Sequence, residues 1–322
     1  MQSVLVTGGA GFIGSNITEA LLLKGYRVVV LDDLSTGKMK NILDLSENNN
    51  LKFVKGSILE SGLLRSIIKS ENVSLISHQA AISSVSKSIA DPVKTMETNV
   101  AGTTSLFHIA AEYGCKRIVF ASSSSIYGDA PELPKRETMA PCPKSPYAMS
   151  KAAKEMLGSV FSGLYAIEII GLRYFNVYGR RQDPASDYAA VIPKFITKAL
   201  ENEPIPIEGD GGQTRDFIYI DDVVNANLKA LTGNNISGNI FNVANGEQTS
   251  ILELATTILE ITGSRSEIVF KPARIGDIRD SVGDTEYATR NLGYSNKFDI
   301  KKGLAETAAW YKQGCRVSVQ HV

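Results

Sequence analysis

Tyr147 and Lys151 stand four residues apart in YAMSK. At helical spacing both side chains project from one face. A phenol ordinarily titrates near about 10. An ammonium beside it favours the phenolate and draws that value toward neutrality. A tyrosine so placed can take a proton from a hydroxyl, which is general-base chemistry. Alone, the pair is commonplace on surface helices, so its meaning depends on its company. The serine run Ser122 to Ser125 follows the strand-like RIVFA. That is the strand end at which α/β sheets hold ligands, where a hydroxyl could relay a proton to Tyr147; a polar turn would read the same way.

A second cluster opens the chain. Residues 7–14 read TGGAGFIG, with Gly8, Gly11 and Gly14 at the joint between a strand and a helix that Phe12 and Ile13 begin. Small residues there let the backbone approach a pyrophosphate, and the helix N-terminus favours its charge. The next strand-like run, RVVVL, leads to Asp32. A carboxylate at that point accepts hydrogen bonds from ribose hydroxyls and repels a 2′-phosphate, which favours NAD over NADP. A nicotinamide ring would add a second positive charge beside Tyr147.

These residues need a sheet to hold them. Val4–Thr7, Arg27–Leu31, Lys52–Val54, Leu75–Ser77, Arg117–Ala121 and Ile167–Leu172 read as short apolar strands with helical stretches between them. The first helix, Ile13–Lys24, ends near Gly25, a natural cap. Apolar strands alternating with helices predict an α/β fold: a Rossmann-type, doubly wound parallel sheet covered on both faces. After about Leu172 the segments shorten and become loop-rich, which suggests a smaller α/β C-terminal lobe. The expected division is 1–175 for the dinucleotide lobe, with some later segments returning to it, and 176–322 for the substrate lobe. The tail after Trp310 has little periodicity and is expected to be partly disordered.

Bulk properties narrow the function. Basic and acidic residues both number 34, so the formal net charge is zero and no general attraction to nucleic acid is expected. Cys115, Cys142 and Cys315 have neither zinc-ligand spacing nor an even count, and His78, His108 and His321 form no metal motif. The chain runs from Met1 into VLVTGG without a basic leader, and no apolar run reaches membrane-spanning length. A cytoplasmic protein with no metal and no membrane partner is expected.

Taken in order, TGGAGFIG, the serine run followed by IYG, YAMSK and RYFNVYG resemble the extended short-chain dehydrogenase/reductase family, in its sugar-nucleotide epimerase and dehydratase branch. The similarity spans roughly residues 1–310. It implies a Rossmann domain with NAD, a smaller domain for a nucleotide sugar, and usually a homodimer. By motif position Ser123, Tyr147 and Lys151 correspond to the catalytic triad, and Asn99 in TNVAGT to an asparagine beside the cofactor strands. Arg215 in QTRDF and Arg274 in ARIGD correspond to arginines on the substrate diphosphate, and Asn176 in RYFN to a donor to it. Dehydratases of this branch carry Thr-Asp-Glu where this chain has Ser123-Ser124-Ser125. A serine does not replace a carboxylate acid or base, so the resemblance implies an epimerase. Inversion then runs through a 4-keto sugar with transient NADH, Tyr147 acting as base.

The sugar is indicated by fewer positions. Ser281, two residues past GDIR, stands where hexose-restricted epimerases can carry a tyrosine, and leaves room for an acetamido group. AAISSV, with Ser83 and Ser84, resembles the subgroup preferring N-acetylated substrates, so C4 inversion of UDP-N-acetylglucosamine is expected. Ser83 and Ser84 could equally cap a helix. Ser57 and Ile58 stand where the family has Asp-Ile; that Asp usually meets the adenine amine, a role Ser57 could fill only more weakly. The rivals are a UDP-glucose or dual-specificity 4-epimerase, a uronic-acid epimerase lacking an evident extra cation, and a non-catalytic NAD-binding redox sensor. The sensor predicts decay of the triad, which is intact.

Overall fold

The structure is a computed structural model and describes residues 1–184, 190–273 and 279–319. The first half alternates β1 (Ser3–Thr7), α1 (Phe12–Leu23), β2 (Arg27–Asp32), β3 (Leu51–Lys55), α2 (Ser61–Ser70) and β4 (Val73–His78). There follow α3 (Val85–Ala90), α4 (Pro92–Met96), a π-helical turn (Glu97–Gly102), α5 (Thr103–Glu112), β5 (Arg117–Ser123), α6 (Pro146–Leu164) and β6 (Glu168–Tyr174). The second half holds β7 (Asn176–Tyr178), α7 (Val191–Glu201), β8 (Ile205–Glu208), β9 (Thr214–Arg215), β10 (Phe217–Tyr219) and α8 (Ile220–Thr232). It ends with β11 (Ile240–Val243), β12 (Thr249–Ser250), α9 (Ile251–Thr262), β13 (Ile268–Lys271), α10 (Glu286–Leu292) and α11 (Ile300–Val319).

Seven strands form one parallel sheet in the order β11-β6-β5-β4-β1-β2-β3. The apolar runs in the inner strands are buried on both faces, while β3 at the edge is only half-buried. Val4, Val6, Val28 and Val30 join one core with α1 and α8, whereas Leu5, Val29, Leu31 and Ile76 join the other with α2 and α5. Alternation at period two splits each strand between the two cores. The chain winds outward in both directions from β1 and β4, and the cleft at such a reversal is where doubly wound sheets take their ligands.

The second half makes three two-stranded ribbons, β7·β10, β8·β13 and β9·β12. It also returns to the first sheet. Strand β11 pairs in parallel with β6 from Ile240↔Gly171 to Val243↔Tyr174, and α8 packs on α1 and on β4 to β6. Helix α11 continues past Trp310 to Val319, where weak periodicity suggested an irregular tail. Buried Leu304, Ala308 and Tyr311 dock its earlier turns. Among the described residues no helix is long and apolar enough to cross a membrane.

Candidate active site

The tips of β1, β2, β4 and β5 surround a cavity of about 380 Å³. Its floor is the glycine loop. Gly8 has φ +69, and a Cβ on it would lie 2.7 Å from the Ala80 backbone nitrogen. Gly14 is tighter still: its Cβ would meet the Gly8 carbonyl oxygen at 2.1 Å. The loop is therefore folded against itself and against the segment after β4 in a way that excludes side chains. Helix α1 begins here with Gly11 as its N-cap and no side chain capping it. Its first amides, with Phe12 and Ile13, stand in the cavity wall as ready donors to an anion.

Asp32 closes the neighbouring wall. Its carboxylate accepts N–H bonds from Ala10 (2.9 Å) and Leu34 (2.8 Å). Burial pushes its pKa up, and these backbone donors pull against that. The group is aimed by its neighbours and still borders the cavity. Ser57 and Ile58 wall the same end. The Ser57 hydroxyl accepts the Leu59 N–H at 3.2 Å, which fixes it locally. Uncapped helix, side-chain-free loop and carboxylate together fit a dinucleotide: diphosphate on the amides, ribose on Asp32.

Ser123, Tyr147 and Lys151 share the other end of this cavity. The reason Tyr147 sits there is local. Ser145 caps α6, accepting the Ala148 N–H at 3.1 Å, and Pro146 occupies the first turn. Tyr147 thus falls in the first turn and Lys151 one turn later, both toward the tip of β5. Burial pushes the Tyr147 phenol up, and the Ser123 hydroxyl, hydrogen-bonded to it, pulls it down; the expected fall counted a nicotinamide charge as well as Lys151. Lys151 Nζ lies 5.6 Å from the Tyr147 ring centroid and donates to the Ala121 carbonyl at 2.8 Å. Burial lowers its pKa to about 8, against the pull of Glu155.

Other expectations are relocated. Asn99 is fully buried behind the wall. Its side chain accepts the Ile82 N–H at 2.8 Å and donates to the Ile82 carbonyl and to Ser150. It shapes the loop after β4 rather than touching the cavity, because the π-helical turn directs it inward. Ser84 caps α3, accepting the Lys87 N–H, while Ser83 lines the cavity. Ser124 starts a 3-10 turn outside the cavity wall.

A second cavity of about 460 Å³ adjoins the first, the two sharing Val177. Asn176 and Arg215 are both in its wall. The Asn176 amide donates to the Asp216 carbonyl at 2.9 Å, and Arg215 to the Thr214 carbonyl at 2.7 Å. Arg274 lies outside the described residues. Ser281 is in neither cavity wall, but its segment borders Arg215: the Arg279 carbonyl accepts from Arg215 Nη1 at 3.3 Å and from the Thr214 N–H at 2.9 Å. Sequence reasoning missed Gln79, Lys94, Thr98 and Tyr174, all in the first cavity's wall. Tyr174 and Thr98 lie inside RYFNVYG and TNVAGT, where their neighbours Asn176 and Asn99 drew the reading, whereas Gln79 and Lys94 lie in no motif and only the fold gathers them.

The parallel sheet, the glycine loop at its reversal and the Ser–Tyr–Lys group on the neighbouring tip define a short-chain dehydrogenase/reductase type of NAD-binding enzyme. The chain belongs to the NAD dependent epimerase/dehydratase family, which it matches over residues 4–244. It is 38% identical over 309 residues to the UDP-glucose 4-epimerase of Mycolicibacterium smegmatis, covering 96% of this chain and 98% of that one. The structure is similar to that of the UDP-glucose 4-epimerase of Thermotoga maritima with UDP-glucose, at TM-score 0.92 and 37% identity, over 98% and 100% of the two chains. It is equally similar, at TM-score 0.92, to the UDP-N-acetylglucosamine 4-epimerase of Methanobrevibacter ruminantium in complex with UDP-N-acetylmuramic acid, with 36% identity over 97% and 99%.

Proposed function

We propose that this protein inverts C4 of a UDP-hexose and prefers UDP-N-acetylglucosamine. The observation that carries the reaction is the placement of Ser123, Tyr147 and Lys151 in a cavity that joins the Asn176–Arg215 cavity at Val177. A nucleotide diphosphate in the second cavity puts its sugar beside Tyr147. Bound NAD supplies a hydride acceptor and donor at C4, so that the sugar passes through a 4-keto form. Asp32 would hold the adenosine ribose and the α1 amides the cofactor diphosphate. Tyr147 takes the C4 hydroxyl proton and, once the sugar has turned its other face to the hydride donor, returns a proton to the C4 oxygen, with Ser123 hydrogen-bonded to it throughout. Lys151, charged below about 8, stabilises the phenolate that burial opposes. Ser124 and Ser125 give no carboxylate for removal of water, which favours epimerisation over dehydration.

The N-acetylated preference rests on the small side chain at Ser281, in the segment running beside Arg215. Arg215 and Arg274 would grip the diphosphate while the sugar turns over, a task suited to the planar guanidinium fork. Plain UDP-glucose is the second reading, supported by the likeness to an enzyme solved with that ligand. Proton NMR of purified protein with each UDP-sugar tests both. Faster conversion of UDP-N-acetylglucosamine supports the preference. Faster conversion of UDP-glucose overturns it and leaves the epimerase reading standing. No inversion of either, with NAD supplied, overturns the reaction itself.

A homodimer belongs to the same reading. Met149, Met156, Val160 and Leu164 lie seven, four and four residues apart on α6 and are exposed. That spacing makes one apolar stripe on a long helix, suited to the same stripe of a second copy. Light scattering that gives a monomer mass at micromolar concentration would reject it.

A further inference from the structure

The described wall of the first cavity contains two basic side chains, Lys151 and Lys94. Lys151 is committed to the Ala121 carbonyl and the Tyr147 ring. Lys94 is exposed, and its ammonium makes no hydrogen bond or ion pair with any described residue. It stands on α4, which runs straight into the π-helical turn. Lys94, Thr98 and Gly102 succeed one another at intervals of four residues along that line. Gly102 lies against Ile58, where a Cβ would come within 3.0 Å of its side chain. Ile58, Thr98, Lys94 and the Ala80–Ser83 loop all stand in the wall of this one cavity, and Asn99, next to Thr98, ties the line to that loop through the Ile82 N–H and carbonyl. The glycine loop packs on that same loop, through Gly8 and Ala80. The diphosphate of a dinucleotide brings two negative charges to this stretch. The α1 amides offer it partial charge only, and no arginine stands in the described wall.

We propose that Lys94 is the cationic partner of the cofactor diphosphate, folding over the cavity rim from α4 and holding NAD in place between turnovers. The assignment rests on the cofactor reading and extends it to a residue in no dinucleotide motif. A flexible, solvated ammonium suits the part, because it can swing clear when the cofactor exchanges and neutralise charge once it has bound.

The test compares the intact protein with Lys94→Gln and Lys94→Arg. NAD and UDP affinities are measured by calorimetry at a series of sodium chloride concentrations. K94Q is expected to weaken NAD binding by about tenfold at low salt, the effect of losing one charge-assisted phosphate contact. The difference should shrink as salt rises, K94R should restore most of it, and UDP affinity should not move. NAD affinity within about twofold of the parent would overturn the proposal. So would a loss of NAD binding that K94R does not rescue and salt does not narrow, which marks a structural role. A fall in UDP affinity instead would assign Lys94 to the sugar nucleotide and overturn the cofactor role. Failure of the parent itself to bind NAD would remove the cofactor reading on which all of this rests.

Discussion

Glu155→Ala strands Arg173. The two form a buried pair, 7% and 4% exposed, with Arg173 Nε and Nη2 donating to the Glu155 carboxylate at 2.9 and 2.8 Å. Ser122 donates to the same carboxylate, and Arg173 also donates to the Tyr127 hydroxyl at 2.8 Å. Burial works against the guanidinium charge, and Glu155 more than offsets it. Removing the carboxylate alone leaves that charge hydrogen-bonded to neutral groups, with Glu137 the remaining carboxylate it feels, which costs about 3–5 kcal/mol. Against a typical stability of about 5–15 kcal/mol this is a large fraction. For a chain of this length it corresponds to a fall in Tm of roughly 6 °C. Urea denaturation and calorimetry measure both. The double variant Glu155→Leu with Arg173→Met removes both charges at similar volume and should recover a good part of the loss. A cost below about 1 kcal/mol for E155A would refute the reasoning. So would a double variant as unstable as the sum of its singles, because the pair would then be uncoupled.

Three further outcomes are expected. Tyr147→Phe should lower kcat by about 10²–10⁴ while NAD affinity holds; unchanged turnover in a steady-state assay would remove Tyr147 from the proton path. Gly14→Ala drives a methyl into the Gly8 carbonyl, whose oxygen lies 2.1 Å from the added carbon, so calorimetry should find NAD binding lost. Lys154→Met should stabilise the protein increasingly as pH falls. Burial, aided by Lys151, holds Lys154 well below its ordinary 10.5, and its nearest polar neighbour is His78 Nε2 at 3.1 Å. The unfolded lysine takes up a proton below that value while the folded one does not, so the parent loses up to about 1.4 kcal/mol per pH unit that K154M keeps. Denaturation midpoints at pH 10, 9 and 8 read the gap, and a flat gap would mean that the buried amine is charged.

What could be read in advance followed from how local each constraint is. TGGAGFIG announces its cradle because glycine excludes side chains wherever it stands, and Gly8 and Gly14 do so against backbone. Five of the six leading strands were legible because burial on both faces leaves near-continuous apolar runs, and the half-buried edge strand β3 shows instead as the short LKFVK. Tyr147 and Lys151 share a face by helical spacing alone. Their titration was not legible, since desolvation depends on what packs around α6, and that burial pushes the Tyr147 phenol up against the pull expected from its cations. Asn99 and Ser84 have the right types for a ligand site, yet a π-helical turn and a cap consume them. The His78–Lys154 contact joins residues 76 apart, and no periodicity signals such a meeting.

The return of β11 to the first sheet bears on how the chain is made. Synthesis proceeds from the N-terminus, and a ribosome that has delivered residues 1–175 has delivered six of the seven strands. At that moment β6 is an edge, its outward backbone groups without the partner that Ile240–Val243 will bring. The face that α8 covers is equally bare until Thr232 has emerged. The first sheet cannot close on residues 1–175 alone, because α8 and β11, made only by residue 243, must be present before it is whole. The nascent protein therefore carries a sticky strand through about 65 residues of translation, an interval of several seconds in which a holding chaperone would find its target.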